Sequence, residues 1–109
     1  MGYYTSTYVM FGAEVATERA YRTSEWLENP VANAILHKHK VGYSLSGPYD
    51  NDFLFLCRHH QEAEMGTYVR LELPVTQEAE DRAAIKAAAE ELGLTLMFEP
   101  TWLAVPDVS

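Results

Sequence analysis

The run Phe53-Leu54-Phe55-Leu56-Cys57 (FLFLC) decides the fold. Five consecutive apolar residues read as a strand covered on both faces. The six residues before it, Gly47-Pro48-Tyr49-Asp50-Asn51-Asp52, concentrate turn chemistry. Gly and Pro set the backbone, and short Asx side chains bond to neighbouring main chain. A calcium loop needs oxygen ligands spaced along about twelve residues and a distal Glu. Here the chain turns apolar directly after Asp52, so Asp50 and Asp52 read as a hairpin turn. A polar contact surface that includes Tyr49 is the second reading, because loops often carry function.

Upstream, Val41-Gly42-Tyr43-Ser44-Leu45-Ser46 alternates and reads as a half-buried strand. Residues 3–15 read as another strand. Val9, Phe11, Ala13 and Val15 take one face, and Tyr4, Tyr8 and Met10 the other. Both faces are apolar or aromatic, which places this strand in the centre of a sheet. Residues 16–40 are helical in two pieces. Ala16, Ala20 and Leu27 mark the first inward face, and Val31, Ala34 and Ile35 the second. Asn29-Pro30 separates the pieces, with Asn29 as N-cap and Pro30 as first helical residue. His37-Lys38-His39-Lys40 then puts cations at the negative end of the helix dipole.

Downstream, residues 60–65 read as a polar connection. Residues 66–75 alternate as a strand, with Tyr68, Arg70 and Glu72 opposite Val69, Leu71 and Leu73. Residues 76–92 form the clearest helix. Thr76 caps it, Glu78, Glu80 and Asp81 suit its positive first turn, and Gly93 ends it. Its stripe of Ala84, Ile85, Ala88 and Leu92 permits close packing on a sheet. Residues 94–98 read as a strand that Glu99-Pro100 breaks, with Trp102 to Val105 continuing as a short edge. The order β-α-β-β-β-α-β predicts one α+β domain over residues 1–109. The expected architecture is a ferredoxin-like split β-α-β sheet with one extra strand and two helices on one face. Strands one and three would take its central places.

Charge limits the function. Sixteen Asp and Glu oppose eight Lys and Arg, for a net charge of −8. This disfavours non-specific binding to nucleic acid or to anionic membranes. Cys57 is the sole cysteine, which excludes an internal disulfide and a thiolate zinc cluster. No apolar run approaches the roughly 18 residues needed to cross a bilayer. The first residues lack the basic and apolar regions of a signal peptide, and Gly2 with Ser6 fits a myristoylation pattern only in part. A cytoplasmic location is expected, with no cofactor and no bound metal.

All four histidines lie in two basic clusters, His37-Lys38-His39-Lys40 and Arg58-His59-His60. Zinc requires ligands that converge on one point. Positions 37 and 39 diverge by about 200° on a helix, and 59 and 60 face opposite sides of a strand. The clusters read as solvated element ends or as an anion-binding patch of Lys38, Lys40, Arg58 and one of the histidines. In the predicted topology both fall at one edge of the sheet. Cys57 ends a buried strand and reads as an inert thiol, although Arg58 and His59 keep a nucleophilic role open. No glycine-rich phosphate loop occurs. Carboxylate pairs such as Glu62/Glu64 read as solvated faces. Seven tyrosines are many for 109 residues. Tyr4, Tyr8, Tyr43, Tyr49 and Tyr68 are expected to line a sheet face that the helices leave exposed, and such a face marks an interface.

Residues 41–56, VGYSLSGPYDNDFLFL, together with residues 100–109, PTWLAVPDVS, resemble small uncharacterised proteins of actinobacterial phages. The resemblance implies an accessory protein of the infected cell that binds a host or defence protein. No functional residues are transferred with it. Three functions are therefore expected. The first is a non-enzymatic, homodimeric binder of a host protein, acting through the aromatic face and acidic loops. The second is a small-ligand binder that sequesters a nucleotide-like anion with Tyr stacking, Lys38, Lys40, Arg58 and Arg70. The third is a metal-dependent hydrolase at the His/Cys57 region.

Overall fold

In the computed structural model the two apolar runs become adjacent strands. The structure describes residues 5–47, 53–64, 70 and 75–108. Strand β1 (Thr5–Glu14) leads to helices α1 (Ala20–Leu27) and α2 (Pro30–His39). Strands β2 (Gly42–Ser46) and β3 (Phe53–Glu64), helix α3 (Val75–Leu92) and strand β4 (Thr101–Val108) follow. The fold is mixed α+β, with one four-stranded sheet in the order β2-β3-β1-β4. Every neighbouring pair is antiparallel. β1 and β3, the strands with two apolar faces, hold the central places.

The alternation of β1 and β3 divides the core. On one side Phe11, Val15, Leu54 and Leu56 pack against Leu27 of α1, Ala32 and Leu36 of α2, and Ile85, Ala88 and Leu92 of α3. On the other side Met10, Phe55, Cys57 and Val105 form a smaller cluster, flanked by Tyr8 and Leu103. Met10 is 0% exposed in the single chain. This corrects the expectation of an open aromatic face, because the middle of the helix-free side is already buried. Tyr43 corrects it further. Its pairing with Leu56 puts it on the helix side, opposite Tyr8, where it packs against the larger core.

Local signals set two helix ends, whereas Arg19 before α1 makes no side-chain cap and α3 already begins at Val75, which puts Thr76 inside the helix and not at its cap. The Asn29 side chain accepts a hydrogen bond from Val31 N at 2.9 Å, and Pro30 begins α2. Gly93 adopts φ 71° after α3, where its N–H reaches Glu90 O. The inward face of α2 differs from expectation. Ala32, Ile35 and Leu36 pack inward, whereas Val31 is 71% exposed and Ala34 is also exposed. The buried stripe follows Ala32, Ile35 and Leu36 because that face of α2 is the one packed into the core. Ala16 lies before α1 and is exposed.

Two strand boundaries also move. Residues 60–64, expected as a connection, continue β3 and pair with β1 as far as Ser6↔Glu64. Main-chain pairing with β1 outweighs the low strand preference of these polar side chains here. Residues 94–98 form no strand. They contribute one bridge, Val15↔Leu96. Residues 101–108 instead pair with β1 from Thr5↔Val108 to Gly12↔Thr101. Pro106 is tolerated in β4 because β4 is an edge strand and its outer side needs no N–H donor. The predicted strand at 66–75 and the Asp50-Asn51-Asp52 turn lie outside the described residues, Arg70 and Val75 excepted. No described helix is long and apolar enough to cross a membrane.

Candidate functional site

The register between β1 and β3 slips at one point. Val9 faces Gln61, but Phe11 faces Arg58, so β3 carries an extra residue opposite Met10. His59 adopts φ 57° at this bulge. Bulges bend a strand and re-aim its side chains. Here Arg58 and His59, adjacent in sequence, both reach Asp81 on α3. Arg58 Nη1 donates to Asp81 Oδ1 at 2.7 Å, and His59 Nε2 lies 2.8 Å from Oδ2. Asp81 is 1% exposed. A carboxylate so buried is stable only when both oxygens are engaged, and each has a partner.

Arg58 does more than pair with Asp81. Its Nε donates to Lys40 O at 3.1 Å and its Nη2 donates to His39 O. These carbonyls end α2, where intrahelical donors run out. One guanidinium therefore ties together the end of α2, the bulge of β3 and the early turns of α3. The two basic sequence clusters meet at this point. Trp102 braces the far side, with Nε1 donating to Glu78 Oε1 at 3.2 Å and its ring edge on Phe11.

Beside this triad lies a pocket of about 680 Å³. It opens where β2 begins, since β2 pairs with β3 only up to Gly42↔Cys57 while β3 runs on to Glu64. Tyr8, Lys40, Tyr43, Ser44, His60 and Gln77 line it, with Arg58, His59 and Asp81 as its polar wall. Tyr8 stacks on His60, ring centroids 5.1 Å apart. Lys40 sits at the C-cap of α2 with φ 55° and has no ion pair among the described residues. The Tyr43 hydroxyl lies 3.4 Å from Glu28 Oε1. Burial, and after it the Glu28 carboxylate, push the Tyr43 phenol above its usual range.

The expected site residues divide into three groups. Tyr8, Tyr43, Lys40 and Arg58 come together at the pocket. Arg58 acts there as a strut, because its three nitrogens are already engaged, and not as an open anion ligand. Lys38 lies elsewhere, donating to Glu91 at 2.8 Å, and Arg70 is exposed and does not line the pocket. Tyr4, Tyr49, Tyr68, Asp50 and Asp52 lie outside the described residues. Cys57 touches the pocket from a buried position, and burial pushes its thiol up to about 12. At neutral pH it is a protonated thiol rather than a nucleophile. Ser44 Oγ is 3.5 Å from His60 Nε2, too long for an activating hydrogen bond. Among the described residues no three His, Cys, Asp or Glu side chains are disposed to hold a metal ion.

Asp81 was the residue that composition concealed. It looks like an ordinary first-turn acid, but it shares a helix face with Ile85, Ala88 and Leu92. An acid on an apolar stripe is the signal that separates it from Glu78 and Glu80. Comparison of the chain with protein-family models, with curated proteins and with solved structures finds no match.

Proposed function

We propose that this protein is a non-enzymatic binding domain whose pocket takes a small, ring-bearing anion. One observation carries the reading: Tyr8, Tyr43, His60 and Lys40, a cation with no ion pair among the described residues, converge on a 680 Å³ concavity with a fixed polar wall. That volume suits a drug-sized ligand, and the mixture of flat rings with few polar groups is the usual composition of such sites. The rings supply stacking area, and Lys40 supplies charge that no described carboxylate cancels. Thermal shift and calorimetry with nucleoside phosphates and aromatic carboxylates test it. Stabilisation that disappears in Tyr43→Ala supports the reading. No binding by any ring-bearing anion refutes it.

A second reading is docking of a host or defence protein, or of a second copy, on the helix-free side of the sheet. Phe53 favours it, being 40% exposed at that side's edge and packed against Phe55. The surface is small, since the centre of that side is buried within one chain. Light scattering on wild type and Phe53→Ser separates this reading from a monomeric ligand binder. The strand order, with every neighbour antiparallel, further supports assigning the sheet to the ferredoxin-like split β-α-β arrangement. A cytoplasmic accessory protein of phage origin, as the resemblance implies, is compatible with ligand sequestration.

A further inference from the structure

The charge balance of the pocket narrows its ligand class. Among the described lining residues, Lys40 and Arg58 are cationic and Asp81 is anionic. Asp81 sits within 2.7 Å of Arg58 and neutralises it. Among the described residues one positive charge, that of Lys40, therefore faces a ligand when the histidines are neutral. Glu28 does not line the pocket, but its carboxylate lies 3.4 Å from the Tyr43 hydroxyl and adds negative potential behind that ring. The chain as a whole carries −8. Like-charge juxtaposition rejects wrong ligands as effectively as contacts select right ones.

We infer that the pocket selects singly charged, ring-bearing ligands, an aromatic carboxylate or a phosphodiester, and rejects polyphosphates. The inference rests on the ligand-binding reading above. A monoanion matches Lys40 and leaves no surplus charge. A nucleoside triphosphate brings additional negative charges that find no second open cation among the described lining residues and that meet Glu28 and the overall field. The anion sits at Lys40, and the flat part lies toward Tyr43 and the Tyr8–His60 stack.

Calorimetry at low salt tests this with four probes: an indole carboxylate, a 3′,5′-cyclic mononucleotide, the corresponding 5′-monophosphate and the triphosphate. The cyclic mononucleotide or the carboxylate is expected to bind at least about tenfold more tightly than the triphosphate, which corresponds to about 1.4 kcal/mol. Which of the two monoanions binds identifies the source of the charge. Lys40→Gln is expected to lower monoanion affinity about tenfold with an unchanged melting temperature. Glu28→Gln is expected to narrow the gap between the 5′-monophosphate and the cyclic form. Tighter binding of the triphosphate, or a Lys40→Gln variant with full monoanion affinity, overturns the selectivity while leaving a ligand pocket in place. No binding of any probe overturns the pocket as well.

Discussion

Replacing Asp81 with Asn tests the Arg58–His59–Asp81 triad most directly. The side chains are nearly equal in volume, so no cavity opens and the change is one of charge. Asp81 is 1% exposed, while the Arg58 and His59 side chains keep 21% and 30% of their exposure. Removing one partner of a buried ion pair costs about 3–5 kcal/mol, because the other charge stays buried without compensation. Arg58 retains the carbonyls of His39 and Lys40 and some access to water. The lower end, about 3 kcal/mol, is therefore expected. In a domain of this size that corresponds to a fall in melting temperature on the order of 10–15 °C. Urea unfolding followed by circular dichroism measures it. An Arg58→Met/Asp81→Leu double variant is expected to recover about half of the loss, since neither charge is then stranded. A cost below about 1 kcal/mol for Asp81→Asn, or strict additivity of the two sites, would show that the triad does not hold the elements together.

Gly12→Ala is expected to cost about 3 kcal/mol or to prevent folding. Its new Cβ would stand 2.2 Å from Leu56 O and 2.9 Å from Cys57 Cα, both in the central partner strand. Gly42→Ala is the control, because its Cβ meets only Cys57 O at 3.8 Å; denaturation midpoints should separate the two variants clearly. Cys57 is expected to resist iodoacetamide at about pH 8 in the native state and to react fully once unfolded, and rapid native labelling would contradict its burial. Hydrogen bonds from Lys38 and then His39 hold the Glu91 carboxyl below its ordinary value of 4.5. A depressed carboxyl contributes stability that is present above that value and lost as pH falls below it. Glu91→Gln should therefore flatten the acid side of the stability–pH curve, and an unchanged slope would remove the effect.

The amino-acid sequence by itself determined which segments must be buried and where several elements begin and end. FLFLC and the two-faced apolar pattern of residues 3–15 place β3 and β1 at the sheet centre, because a strand apolar on both sides is stable only between covered faces. Asn29-Pro30 and Gly93 define helix ends through backbone geometry that needs no distant partner. The sequence also brought Lys40 and Arg58 to one edge of the sheet, through topology alone. Tertiary structure decided what depends on partners far along the chain. The extent of β3 and the identity of β4 follow from pairing with β1, which composition does not encode. A one-residue bulge turns His59 toward Asp81, and no local pattern states where a register slips. The face chosen by Tyr43 follows from its register with Leu56, so the expected row of tyrosines separates onto two sides. Local rules act through near neighbours and are legible in a linear chain. The pocket is assembled by side chains from β1, β2, β3, α3 and the end of α2, and only folding brings them within reach of one another.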